Sequence, residues 1–187
     1  MEPFEYVIAF TSIILGLGVA QILTGVSDIV ADWDNVKFSI PHSLYILVVF
    51  LIHIQDWWWT YSMQEIVREW TILKVLSVLI FPIILYLQAR MLFPTGSRQE
   101  ETDLRFYFRD RWKWMYGLGL ASVISSAWNN FAISNVDLHL HIPHVMYASA
   151  YIIFFVSDVK KEKYHTIFIV LQLIFLSGAI VGAPSLK

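Results

Sequence analysis

The stretch YVIAFTSIILGLGVAQILTGVS, from Tyr6 to Ser27, runs for 22 residues without one formal charge. About 20 apolar residues in a helix cross the roughly 30 Å hydrocarbon core of a bilayer, so the stretch reads as a membrane span. Five further charge-free stretches follow, at 38–55, 75–89, 114–136, 138–157 and 164–186. The shortest reach span length when a terminal charge snorkels to the interface. Composition agrees: 57% of residues are hydrophobic and 15% charged, where a soluble domain carries about a quarter charged. Mean hydropathy is +0.59.

Six spans leave about one third of the chain outside lipid, which excludes a separate soluble domain. A net charge of −2 without a basic stripe excludes a nucleic-acid partner. With no cysteine, disulfides, iron–sulfur clusters and thiol nucleophiles are excluded as well. The acidic start Met1-Glu2-Pro3-Phe4-Glu5 and the length of the first apolar run point to an anchor that stays, not a cleaved leader.

The expected fold is all-α, a single membrane domain over 1–187 with about six transmembrane helices. Their spans are Tyr6–Val30, Pro41–Gln64, Trp70–Phe93, Trp112–Ser134, Pro143–Asp158 and Tyr164–Gly182. Pro41 suits a first helical turn, Trp57-Trp58-Trp59 suits an interfacial aromatic belt, and Pro82 predicts a kink. Residues 95–111 form a polar cytoplasmic linker. From Leu104 to Lys113 aromatic and basic residues interleave, as in a helix lying in the membrane surface or in a basic flank that sets topology.

Ten of the 13 Lys and Arg residues fall in the first, third and fifth loops: Lys37; Arg90, Arg98, Arg105, Arg109, Arg111 and Lys113; and Lys160, Lys161 and Lys163. Arg68, Lys74 and Lys187 lie on the other side. The positive-inside rule then predicts both termini outside.

An internal repeat is also legible. Gly16-Leu17-Gly18-Val19-Ala20 matches Gly117-Leu118-Gly119-Leu120-Ala121 at an offset of 101, and Ile40-Pro41-His42 matches Ile142-Pro143-His144 at 102. Asp56 and Asp158 keep the second offset. Three helices per unit require the second unit, about 112–182, to be inverted relative to the first, about 6–93; inverted repeats are common in transporters. Small residues recur every fourth position at Ser12, Gly16, Ala20 and Thr24, and again at Gly117, Ala121 and Ser125. Such stripes allow close helix approach, so the first and fourth helices are expected to cross along this seam.

Chemistry-bearing residues are few. His53 and Asp56 share a helix face, and Lys74 is placed to pair with Asp56. Gln21, Asn129, Asn130 and Gln172 are uncharged polar groups within spans, suited either to a transport path or to interhelical hydrogen bonds. His139, His141 and His144 offer a weak metal candidate, while the repeated Pro-His pairs at 42 and 144 favour a helix-start role. No Ser/His/Asp set, Walker loop or His-Glu-x-x-His is present, so no catalytic residue and no cofactor are assigned.

Several segments together resemble a family of small uncharacterised polytopic bacterial inner-membrane proteins. They are Phe4-Glu5-Tyr6 leading into Ile14-Leu15-Gly16-Leu17-Gly18, Trp57-Trp58-Trp59, Trp70-Thr71, Leu92-Phe93-Pro94 and Asp103-Leu104-Arg105. The resemblance implies a bacterial origin, an inner-membrane location and a polytopic fold, and brings no substrate. With outward termini, it places both ends in the periplasm. The expected function is a small channel or transporter for an ion or small solute, as a homo-oligomer because six short helices enclose little space. The alternative is a non-enzymatic membrane sensor, effector or binding protein whose polar residues only hold helices together.

Overall fold

The computed structural model describes residues 2–67, 69–94, 102–134 and 137–183. Six α-helices account for most of them: α1 Pro3–Ala31, α2 Ile40–Ile66, α3 Ile72–Met91, α4 Leu104–Ala132, α5 Ile142–Val156 and α6 Glu162–Val181. Four of these, α1, α2, α3 and α6, are long and apolar enough to cross a membrane. Only 28–39% of each of those spans is buried within the bundle, so their remaining apolar surface faces outward. Ile72 and Leu73 are more than 70% exposed; a lipid environment removes the cost of leaving such side chains in water.

Local signals explain the helix ends. Pro3 and Pro41 stand in first turns, where a missing N–H costs nothing. Asp103 caps α4 by accepting the Phe106 N–H at 2.8 Å. At the end of α5 the N–H groups of Asp158 and Val159 return to the carbonyls of Phe155 and Phe154, a Schellman closure. It puts Asp158 at a positive φ of 42°.

Consecutive helices alternate in direction. The α2, α4 and α6 N-termini gather with the α1, α3 and α5 C-termini at a charged end. Two residues of parallel strand, β1 Val36–Lys37 and β2 Thr102–Asp103, pair there. At the far end Val7, Val67, Val78 and Ile133 form a small apolar cluster. The main core lies nearer the charged end, around Tyr45, Val49, Trp112, Tyr116, Phe168 and Ile169.

Three expectations are corrected. The small-residue seam is the first: α1 buries Thr11, Leu15, Gly18, Ile22 and Gly25, while Gly16, Ala20 and Thr24 face outward. Side chains rather than a second backbone fill the space at the buried glycines. A Cβ on Gly18 would overlap the His53 ring, one on Gly25 the Phe93 ring, and one on Gly119 would stand 2.6 Å from the Tyr151 hydroxyl. Gly16 has nothing within 4 Å of that position. Accordingly α1 packs on α2 and α3, and α4 on α3 and α5. On α4 only Ser125 of the expected seam is fully buried; Gly117 and Ala121 are half-buried, as is Ser12 on α1.

The second correction concerns the linker. Its part at 95–101, with Arg98, lies outside the described residues, as do Arg68 and Lys187. From Leu104 onward it is no separate surface helix but the opening of α4, whose Leu104, Phe108 and Trp112 stripe packs into the bundle. Third, Asp56 lies within α2 whereas Asp158 lies beyond the end of α5, so their shared offset marks no common structural position.

Candidate functional site

Two sets of polar side chains lie inside the bundle. In the larger, the Tyr45 hydroxyl on α2 donates to the Met115 carbonyl of α4 at 2.9 Å, and Gln88 Nε2 on α3 donates to Tyr45 at 3.4 Å. Gln172 Nε2 on α6 donates to the Tyr151 hydroxyl of α5 at 2.8 Å. Five helices thus meet through three tyrosines and two glutamines, the third tyrosine being Tyr116 on α4, with ring centroids 5.7 Å from Tyr45 and 5.5 Å from Tyr151.

His165 closes this set toward the charged end. Its Nε2 lies 2.9 Å from the Val159 carbonyl and its Nδ1 3.1 Å from the Tyr116 hydroxyl. A carbonyl oxygen only accepts, so Nε2 carries the proton and Nδ1 receives the tyrosine O–H. Phe108, Trp112 and Phe154 surround the imidazole at 5.0–5.4 Å. His42, fully buried at the start of α2, donates by the same reasoning from Nε2 to the Leu92 carbonyl at the end of α3, 2.7 Å away. His144, at the start of α5, meets the Ser126 hydroxyl of α4 at 3.1 Å. Both Pro-His pairs therefore tie a helix start to a neighbouring helix.

The second set lies about two turns farther along α2. His53 is buried and donates from Nδ1 to the Val49 carbonyl of its own helix at 2.7 Å, which leaves Nε2 as a lone pair against Gly18. Asp56 is half-buried, and its Oδ2 is enclosed with no hydrogen-bond partner among the described residues. The expected Lys74 pairing is corrected here: Lys74 Nζ turns back to the Glu69 carbonyl at 2.9 Å. A lysine in the first turn of a helix reaches the preceding loop more readily than the interior.

Of the remaining candidates, Asn129 is buried with Oδ1 unpartnered among the described residues, and Gln21 and Asn130 are half-buried. Thr11 Oγ1, Gln88 Oε1 and Gln172 Oε1 are likewise enclosed without a partner. Buried polar atoms are nearly always satisfied, so a concentration of exceptions marks where polar ligands or waters belong. The histidine triplet does not gather: His139 is exposed, and among the described residues no three His, Asp or Glu side chains converge as metal ligands.

Sequence reasoning reached His53, Asp56, Asn129 and Gln172 but missed Tyr45, Gln88, Tyr116, Tyr151 and His165. A usable signal existed, because a tyrosine deep in a span carries a hydroxyl that needs a partner. No family model matches this chain, and comparison with curated proteins and with solved structures gives no match.

Proposed function

We propose that this chain is a small membrane channel or transporter for an ion or small polar solute. The observation that carries the reading is the set of enclosed polar atoms without partners among the described residues: Asp56 Oδ2, His53 Nε2, Asn129 Oδ1, Gln88 Oε1 and Gln172 Oε1. A bundle built only to hold itself together gains by pairing such groups or replacing them with apolar ones. Ionisable groups inside a span mark ion and solute pathways by the same reasoning.

In this reading all six helices span the bacterial inner membrane, with the charged end cytoplasmic and both termini periplasmic. The clustering of Lys and Arg at that end supports the orientation. The inverted-repeat arrangement finds support in two helix pairs, α1 with α2 and α4 with α5, each packed through a glycine that receives a ring. The third helices differ: α3 lies between α1 and α4, and α6 lies on α2. Self-association would supply the enclosure that six short helices lack.

Reconstituted vesicles loaded with a pH reporter and challenged with a panel of monovalent ions and small solutes test the proposal. Asp56→Asn is expected to abolish flux while expression and assembly persist, and His53→Ala to shift its pH dependence. A second reading, a membrane sensor or effector, is favoured by the partners that Tyr45, Tyr116, Tyr151 and His165 find inside the bundle. Absence of flux in the parent protein across the panel would put that reading first.

A further inference from the structure

We infer that the charged end carries a binding site for a phospholipid with a monoanionic phosphodiester headgroup. A cleft of about 600 Å³ opens there between the first turns of α4 and the segment joining α5 to α6. That volume falls within the roughly 300–1,000 Å³ of small-molecule sites. Four cations line it, Arg105, Arg109, Lys113 and Lys160, against three carboxylates, Asp110, Asp158 and Glu162. One positive charge is left over, the complement of one phosphodiester.

The ion pairs, one of them to Arg111 outside the lining, show which of the lining cations are left to meet a phosphate. Asp158 is held by Lys113 at 2.6 Å and by Lys160 at 3.5 Å, and Asp110 by Arg111 at 2.9 Å. Glu162 accepts a long 3.5 Å hydrogen bond from Ser39. Arg105 uses only Nε, toward the Phe38 carbonyl at 2.8 Å, and Arg109 lies over the Phe106 ring at 5.6 Å. Neither guanidinium has a carboxylate partner among the described residues. One helical turn apart on the same wall, they form the planar, multidentate donor set that phosphate oxygens favour.

A second feature selects a lipid over a soluble phosphate. An almost wholly apolar groove runs along the outside of α5 and α6, lined by residues including Ile153, Ile167 and Leu171. Val159 lines both groove and cleft, so the two adjoin at this residue. A ligand that fills both is amphipathic: its phosphate sits on Arg105 and Arg109, and an acyl chain lies in the groove. Basic pockets between transmembrane helices on the cytoplasmic side recognise lipid headgroups in this way. The inference rests on membrane placement and is independent of the transport reading.

The test uses the full chain, delipidated in detergent and titrated with phosphatidylglycerol or phosphatidylcholine, with bound lipids resolved by native mass spectrometry. Phosphatidylglycerol is expected to bind about tenfold more tightly, as charge-assisted hydrogen bonds to one phosphate allow. Arg109→Gln should remove most of that preference with an unchanged thermal midpoint, since Arg109 holds no backbone carbonyl. Arg105→Gln/Arg109→Gln should remove all of it, and Arg90→Gln none. Ile167→Ser/Leu171→Ser should weaken both lipids alike. Equal affinity of the parent for the two lipids overturns the proposal, as does a preference that survives the double arginine variant. Unchanged affinities in the groove variant, or complete displacement of phosphatidylglycerol by millimolar glycerophosphoglycerol, would reassign the site to a soluble anion and equally overturn it.

Discussion

Gly18 and Gly16 are two residues apart on one helix and opposite in consequence. The first is the floor against which the His53 imidazole rests, while the second faces outward with nothing near it. The His53 ring cannot simply turn away, because Nδ1 is committed to the Val49 carbonyl at 2.7 Å. Gly18→Ala is therefore expected to lower stability by about 1–3 kcal/mol through overpacking. Gly16→Ala should be neutral or slightly stabilising, since alanine is the better helix former by about 1 kcal/mol. Thermal unfolding in detergent, followed by tryptophan fluorescence, checks both. Equal effects would show that the buried face of α1 has been assigned wrongly.

At the scale of the element, the end of α5 shows how a helix stop and an ion pair share one residue. Asp158 occupies a left-handed position usually given to glycine, which aspartate and asparagine tolerate better than most residues. The hydrogen bond from Lys113 is the main cause that holds its carboxyl below the ordinary value of 3.8, with the Lys113 and Lys160 charges adding to it. A carboxyl lowered by folding stabilises the fold at pH values above its unfolded titration, and that contribution fades as pH falls through the lower folded value. Asp158→Asn keeps the backbone geometry and removes the charge. Its thermal midpoint should lie below the parent's at pH 7, and the gap should close as the pH is taken below about 4. A gap independent of pH would mean that the residue acts only through its backbone.

Much of this level was legible in the sequence. Charge-free stretches and Pro41 set out six helices, because span length and helix capping are local properties. The faces were not legible. Ser12, Gly16, Ala20 and Thr24 obey the same spacing rule as the true contact face, and only the partner ring distinguishes Gly18 from Gly16. Lys74 looked available to Asp56 because its spacing says nothing of the nearer Glu69 carbonyl. Tyr45, Tyr116 and Tyr151 escape a sequence reading, since the partner of each hydroxyl lies on another helix.

For the whole molecule, the alternation of helix directions and the collection of Lys and Arg at one end carry a prediction about orientation. Reporter fusions after residue 183 should register outside the cytoplasm, and insertions within 95–101 inside it. A cytoplasmic signal from the first would mean that one helix fails to cross. The short α5, with 15 residues, is the element on which the count turns. At about 1.5 Å per residue it covers only about 22 Å, so a crossing by α5 requires the bilayer to thin beside it or its flanks to snorkel.

The seating of α6 on α2 has a consequence for biogenesis. Helices leave the ribosome in order, so α2 enters the bilayer long before the helix that will cover Tyr45 and Val49 has been made. Meanwhile the part of the main core that Phe168 and Ile169 of α6 complete stays open. Until α6 arrives, the nascent protein leaves one side of α2 without its packing partner. A chain stopped after α5 is thus not a smaller version of the protein but an unfinished one, open to quality control along α2.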